Sequence, residues 1–200
     1  MSDCAPPLDP SIGIALLAAG RGSRFGGGKL SSDLGGVPLW RWAARGAERA
    51  GFTTRYLIVP AADALIGSED ADGWQLAVNA RADEGISTSI RLACRLAAGC
   101  DRLVLALADM PFVKASHLRQ IALDNGVVFT HYPSGRRGVP AAFPSAQFAT
   151  LAALTGDRGA ASLDWTMPVA TRSAPPDSLI DVDRQVDLDL ARARLGGERR

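Results

Sequence analysis

Two hundred residues, 47% of them apolar, with a formal net charge of +1, describe one globular domain with a sizeable core and leave too little chain for two independent enzymatic units. That balance gives no field to hold a polyanion, and no basic tract alternates with aromatics, which argues against a nucleic-acid partner. No apolar run approaches the ~20 residues of a membrane span, and residues 1–10 lack the charged and apolar regions of a secretion signal. The three cysteines, Cys4, Cys94 and Cys100, include no C-x-x-C pair, so neither zinc nor a disulfide framework is implied and the cytoplasm is the expected compartment.

After a proline-rich leader, residues 12–18 are apolar on both faces and predict a central parallel strand. Residues 30–37 form a turn-rich connection, and Pro38 opens a helix at its first position. That helix, 38–50, carries Leu39, Trp42, Ala43 and Ala47 on its apolar face and stops before Gly51. Strands are expected at 56–60 and 76–79, a helix at 86–98, with Cys94 in the core, and a buried strand at 103–108. A helix at 118–123 follows, with His117 on its surface. Residues 127–131 and 139–143, joined by a short connection, form a hairpin, so one strand runs antiparallel. A helix at 145–154, a turn at 155–159, another helix, a strand near Val169 and a last helix at 185–195 complete the pattern, ending in a disordered tail. The alternation predicts an α/β fold whose mostly parallel sheet is covered on both faces, one domain over 1–200 with its core in 12–195 and flexible termini. Ligands in such sheets lie beyond the carboxyl ends of the strands.

The first strand runs directly into Gly20-Arg21-Gly22-Ser23-Arg24-Phe25-Gly26-Gly27-Gly28-Lys29. Its five glycines let backbone N–H groups approach anionic oxygens, while Arg21, Arg24 and Lys29 add full charges. This is a phosphate cradle suited to a nucleoside triphosphate. It is not a P-loop, because Ser23 stands where the first glycine belongs and Leu30 where the hydroxyl belongs. Nor is it a dinucleotide fingerprint, whose third glycine would replace Phe25. The chain has twenty arginines and two lysines, Lys29 and Lys114, so a compact ammonium at position 29 suggests a point-charge contact to phosphate.

The segment A-A-G-x-G-S-R-x-G-x-x-K at 18–29 resembles the signature of pyrophosphorylase-type nucleotidyltransferases, most closely the MobA/MocA-like NTP transferases that attach a nucleotide to the molybdenum cofactor. Further segments, covering 12 to about 190, match that family in order. Asp109, at the end of an apolar strand and two residues before Pro111, is a magnesium-ligand candidate by position, and it matches the family's metal-binding G/A-D-x-P aspartate. Asp181-Val182-Asp183 resembles the family's D-x-D segment, with Asp183 the first choice as second ligand and Asp181 the second; a cap for the last helix is the other reading. Asn79 with residues 80–91 resembles the segment facing base and ribose, although Ser87 could simply cap its helix. Gly138-Val139-Pro140-Ala141-Ala142-Phe143 and Gly156-Asp157-Arg158-Gly159-Ala160 resemble acceptor-side segments, with Val139 where histidine is usual. Arg136 and Arg137 either meet an anionic acceptor or solvate a hairpin tip.

The resemblance implies a Rossmann-like three-layer sandwich of the nucleotide-diphospho-sugar transferase type. It also implies transfer of a nucleoside monophosphate from an NTP to a phosphorylated acceptor, molybdopterin cofactor, with release of pyrophosphate. Leu17, Ala18, Ala19, Gly20, Gly22, Ser23, Arg24, Lys29, Asn79, Gly85, Ser87 and Ser89 would hold the nucleotide, Asp109 and Asp183 Mg2+, and Arg24, Lys29 and Asp109 would carry catalysis. The alanines in Ala18-Ala19-Gly20 lean towards CTP over GTP. The alternatives are a sugar-phosphate or other small phosphorylated acceptor, or a carrier that hands the cofactor to a molybdoenzyme apoprotein without turnover.

Overall fold

The computed structural model describes residues 4–18, 25, 28–60 and 72–197. Along the chain these form β1 (Ile12–Leu17), β2 (Asp33–Leu34), β3 (Val37–Pro38), α1 (Leu39–Arg49), β4 (Thr54–Pro60), β5 (Gln75–Asn79), α2 (Ile86–Leu96), β6 (Arg102–Leu107), α3 (Ala115–Leu123), β7 (Val127–His131), β8 (Arg137–Pro144), α4 (Phe148–Ala152), β9 (Val169–Ser173) and α5 (Gln185–Gly197). Seven strands make one sheet in the order β5-β4-β1-β6-β8-β7-β9, and β2 pairs with β3 as a separate small hairpin. Only β8 runs against its neighbours β6 and β7; the other pairings in the large sheet are parallel.

Strand alternation divides the core into two layers. Ile14 and Leu16 of β1 join Trp40, Ala44 and Ala47 of α1 and Leu118 and Ile121 of α3 on one face. Ala15 and Leu17 join Ile90, Ala93 and Cys94 of α2 and Leu151 of α4 on the other. Each fully buried Leu or Ile contributes roughly 1.5–3 kcal/mol, so a central strand buried on both faces is strongly held. A third cluster, Leu34, Leu39, Phe112, Val182, Leu188, Ala191 and Leu195, seats α5 beside the β2–β3 hairpin. No helix among the described residues is long and apolar enough to cross a membrane.

Several sequence expectations need correction. Pro38 precedes α1 as its N-cap instead of opening it, because its extended ψ closes the β2–β3 hairpin. Trp40, not Trp42, is the fully buried tryptophan; Trp42 turns to the hairpin and donates its indole N–H to Leu34 O at 2.7 Å. The expected helix after residue 159 is a single tight turn, Ala160–Ser162, in a segment cut short by Pro168. Gly196 and Gly197 belong to α5, whereas the tail reading at 198–200 lies outside the described residues.

His117 is also not a surface residue. It is 4% exposed, because α3 begins at Ala115 and turns His117 and Ile121, one helical turn apart, towards the sheet. Thr130 Oγ1 donates to Pro140 O at 2.6 Å, so it accepts from the His117 Nε2–H at 2.8 Å. Nδ1 is buried and has no hydrogen-bond partner among the described residues, and burial lowers the pKa. The charged imidazole is therefore disfavoured in the fold relative to the unfolded chain, where it ionises below its ordinary value of 6.5. Unfolding then takes up a proton, and His117's contribution to stability, full above 6.5, is lost as pH falls through its lowered folded pKa. His117→Gln should flatten the pH dependence of denaturant stability between pH 7.5 and 5.5 by up to about 1.4 kcal/mol per pH unit. An unchanged slope would show that His117 charges freely inside the fold.

Candidate active site at the carboxyl ends of β1 and β6

β1 ends at Leu17, whose carbonyl accepts from Ala108 N at 3.2 Å, while Ala18 N reaches Ile58 O at 2.8 Å. Both side chains are buried, so these residues offer backbone to the site. The expected Ala19, Gly20, Gly22, Ser23 and Arg24 lie outside the described residues. Apart from Phe25, the described chain resumes at Gly28, whose φ of +65° starts a tight turn over Lys29–Ser31. Buried Leu30 anchors that turn, and Ser32 Oγ ties it back to Gly28 O at 3.2 Å. Lys29 is thereby aimed across the end of β6.

There it meets the two candidate metal ligands. Lys29 Nζ lies 2.6 Å from Asp109 Oδ2 and 3.3 Å from Asp183 Oδ1. Asp109 is fixed between buried Ala108 and Met110, and its carbonyl accepts from Val182 N at 3.0 Å. That bond brings the 181–183 segment over the end of β6. The segment is irregular backbone, not a strand, with Val182 fully buried. Capping of α5 falls to Asp187, whose Oδ2 accepts from Asp183 N and Arg184 N at 3.0 and 2.7 Å.

Burial alone would pull the Lys29 ammonium down, but attraction to Asp109 and then Asp183 reverses this and holds its proton on. Burial pushes the Asp109 carboxyl up, against the pull of Lys29. Asp181 keeps an open surface, yet the protein crowding it, followed by the charges of Asp109 and Asp183, pushes it up to about 7. A part-buried carboxylate such as Asp109, 18% exposed, is favoured by a neighbouring cation. Its Oδ1 is buried with no hydrogen-bond partner among the described residues, which fits a further cation at that oxygen. Among the described residues no ready group of three acidic, His or Cys ligands exists. Two carboxylates completed by water and substrate oxygens suit magnesium, which seldom takes an all-protein cage.

The opposite wall comes from a break in the sheet. β7 and β8 pair Phe129 with Ala141 and then Thr130 with Gly138, so Val139 and Pro140 are skipped; β8 pairs with β6 only as far as Ala141. The freed carbonyls are taken by hydroxyls, Val139 O by Tyr132 Oη at 2.5 Å and Pro140 O by Thr130. Tyr132 also lies 3.9 Å from Met110 Sδ. Its phenol is pushed upward by burial and then by the charges of Asp181 and Asp109, which sets it at the edge of the acidic group. Sequence reasoning missed Tyr132 and Thr130; the tyrosine before Pro133 was the one available signal. Arg137 is drawn away to Ala161 O and Leu163 O, with its guanidinium over Phe129, while Arg136 is exposed.

The expected base-facing residues turn inward. Asn79 is 6%, Ser87 1% and Ser89 0% exposed. Asn79 Nδ2 donates to Thr88 Oγ1 and Ser89 Oγ at 2.8 and 2.9 Å, and its Oδ1 accepts from Arg81 N. These bonds fix the start of α2 and leave its amide no donor for a base edge. The helix is capped by Gly85, not by Ser87. Ser87 N donates to Gly156 O at 3.2 Å, which joins the start of α2 to the 156–159 turn, and Ser87 Oγ has no partner among the described residues.

The family model described as MobA-like NTP transferase domain matches residues 14–167. Among solved structures, Rv0371c from Mycobacterium tuberculosis H37Rv is 25% identical, with a TM-score of 0.75 over 91% of this chain and 98% of that one. Its complex with manganese also matches, at 23% identity and a TM-score of 0.71 over 94% and 100% of the two chains. A molybdopterin-guanine dinucleotide biosynthesis protein A from Archaeoglobus fulgidus shares the fold at 17% identity, with a TM-score of 0.69 over 92% and 99%. No curated protein matches the sequence.

Proposed function

Because the chain belongs to the MobA-like NTP transferase family, and is thus a nucleotidyltransferase, we propose that it moves CMP from CTP to a phosphorylated acceptor, molybdopterin cofactor, within one domain. An acceptor phosphate oxygen attacks the α-phosphorus in line, the bond to the bridging β-phosphate oxygen breaks, and pyrophosphate leaves. The observation that carries this reading is the meeting of Lys29, Asp109 and Asp183 at the carboxyl ends of β1 and β6. The acceptor is already anionic, so no strong base is needed, and positioning with charge neutralisation does most of the work.

In this reading Arg24, Lys29 and the loop amides hold the departing pyrophosphate. Asp109, whose Oδ1 has no partner among the described residues, and Asp183 would hold Mg2+, which would supply charge neutralisation at the α-phosphate. The manganese complex of the mycobacterial protein supports a divalent cation in this fold. Asn79 and Ser89 act by fixing the start of α2, whose Ser87 and Gly85 lie at the nucleotide. Tyr132 holds the Val139-Pro140 segment on the acceptor side. The choice of CTP rests on Ala18-Ala19-Gly20, and that of molybdopterin on the family resemblance and the likeness to the Archaeoglobus protein.

Pyrophosphate release is the test, measured with CTP, GTP, ATP and UTP in turn, each with Mg2+ and with or without molybdopterin cofactor. Release with CTP only when the cofactor is present is the expected result. Release with another nucleotide, or with a sugar phosphate in place of the cofactor, corrects the substrate. Nucleotide binding with no release from any pair would favour the carrier reading.

A further inference from the structure

We propose that in the nucleotide-free protein the Lys29 ammonium holds the seat between Asp109 and Asp183 that a divalent cation needs, and yields it when nucleotide phosphates draw the ammonium away. The inference rests on the nucleotidyl-transfer reading and adds an order of events, in which the cation arrives with the nucleotide and not before it. Three observations carry it. Lys29 Nζ bridges the two carboxylates at 2.6 and 3.3 Å, and a second cation within ligand distance of the same oxygens would meet a full positive charge only a few ångströms away. Its side chain is 11% exposed, against 18% for Asp109 and 56% for Asp183, so the ammonium sits at the inner end of the seat, on the part-buried carboxylate. Asp109 Oδ1 is left without a partner among the described residues, so the ammonium satisfies only half of a carboxylate that a cation could engage further.

The residue type suits an exchange. A buried carboxylate is unfavourable without a counter-charge, and Lys29 supplies one before any ligand arrives. An ammonium is a compact charge on a flexible four-carbon stem, able to swing from carboxylate to phosphate, whereas a guanidinium would lock in a planar fork. Only one other lysine, Lys114, occurs in the whole chain.

That scarcity makes the test direct. In protein labelled with 15N-lysine, two side-chain ammonium signals arise, Lys114 serving as the internal control. Without nucleotide, the Lys29 signal should hold its position as Mg2+ is added, then move when CTP is added with Mg2+, while Lys114 stays. Mn2+ binding, followed by electron paramagnetic resonance without nucleotide, should be about tenfold tighter or more in Lys29→Met than in wild type, and the gain should vanish in Lys29→Met/Asp109→Asn. Equal Mn2+ affinity in wild type and Lys29→Met overturns the proposal. So does a Lys29 signal that keeps its position once Mg2+ and CTP are both bound, a result that needs only wild-type protein if the variant does not fold. If no nucleoside triphosphate binds, the nucleotidyl-transfer reading fails by itself, while the Mn2+ comparison, which needs no nucleotide, still decides who holds the seat.

Discussion

Asp109→Asn is expected to lower magnesium-dependent pyrophosphate release by about 10³-fold, with nucleotide affinity reduced less than about tenfold. The amide keeps the shape of the side chain between Ala108 and Met110 but removes the charge facing Lys29. Lys29 keeps Asp183 at 3.3 Å, so the ammonium is not stranded and the fold should persist, which a melting curve would check. The split between turnover and binding is the informative part, because the loop carries most of the phosphate contacts in the proposed mechanism. Turnover within threefold of wild type would remove Asp109 from the reaction.

Gly85→Ala should cost about 4 kcal/mol of stability, measured by denaturant unfolding. Gly85 has φ +112° and ψ 170°, a region open essentially to glycine, and holding another residue there costs about 1–3 kcal/mol. A Cβ would also stand 2.3 Å from Gly156 C and 2.4 Å from Gly156 O. Both are backbone atoms, so relief requires moving the 156–159 turn, at a further cost of about 1–3 kcal/mol. The Ser87 N to Gly156 O bond would be lost with that movement, and nucleotide affinity should fall as well. A loss below about 1 kcal/mol would show that the junction between α2 and the turn is soft.

The positions of the main strands along the chain and their parallel type were legible because β1, β4 and β6 are short apolar runs separated by helical periodicity. That one strand of the 127–143 hairpin runs antiparallel followed from the short connection at 132–138. What stayed hidden depends on contacts between distant parts of the chain. His117 reads as a polar residue at a helix edge until Thr130, on another strand, supplies its partner. Asp109 and Lys29 stood out one by one, by strand end and by lysine scarcity. Nothing local showed that they pair with each other, 80 positions apart. The inward turn of Asn79 and Ser89 was hidden for the same reason, since a polar N-terminal helix turn looks alike in sequence whether it faces a ligand or closes on itself.

The bond from Val182 N to Asp109 O also has a consequence for synthesis. Lys29 and Asp109 are made early, but Asp183 is added 74 residues after Asp109. At about 5–20 residues per second that interval lasts roughly 4–15 s. During that time the emerging chain carries the glycine-rich loop and Asp109 without the segment that brings Asp183. A chain that has not yet reached residue 183 therefore has the glycine-rich loop and Asp109 but lacks the second acidic residue that Lys29 bridges.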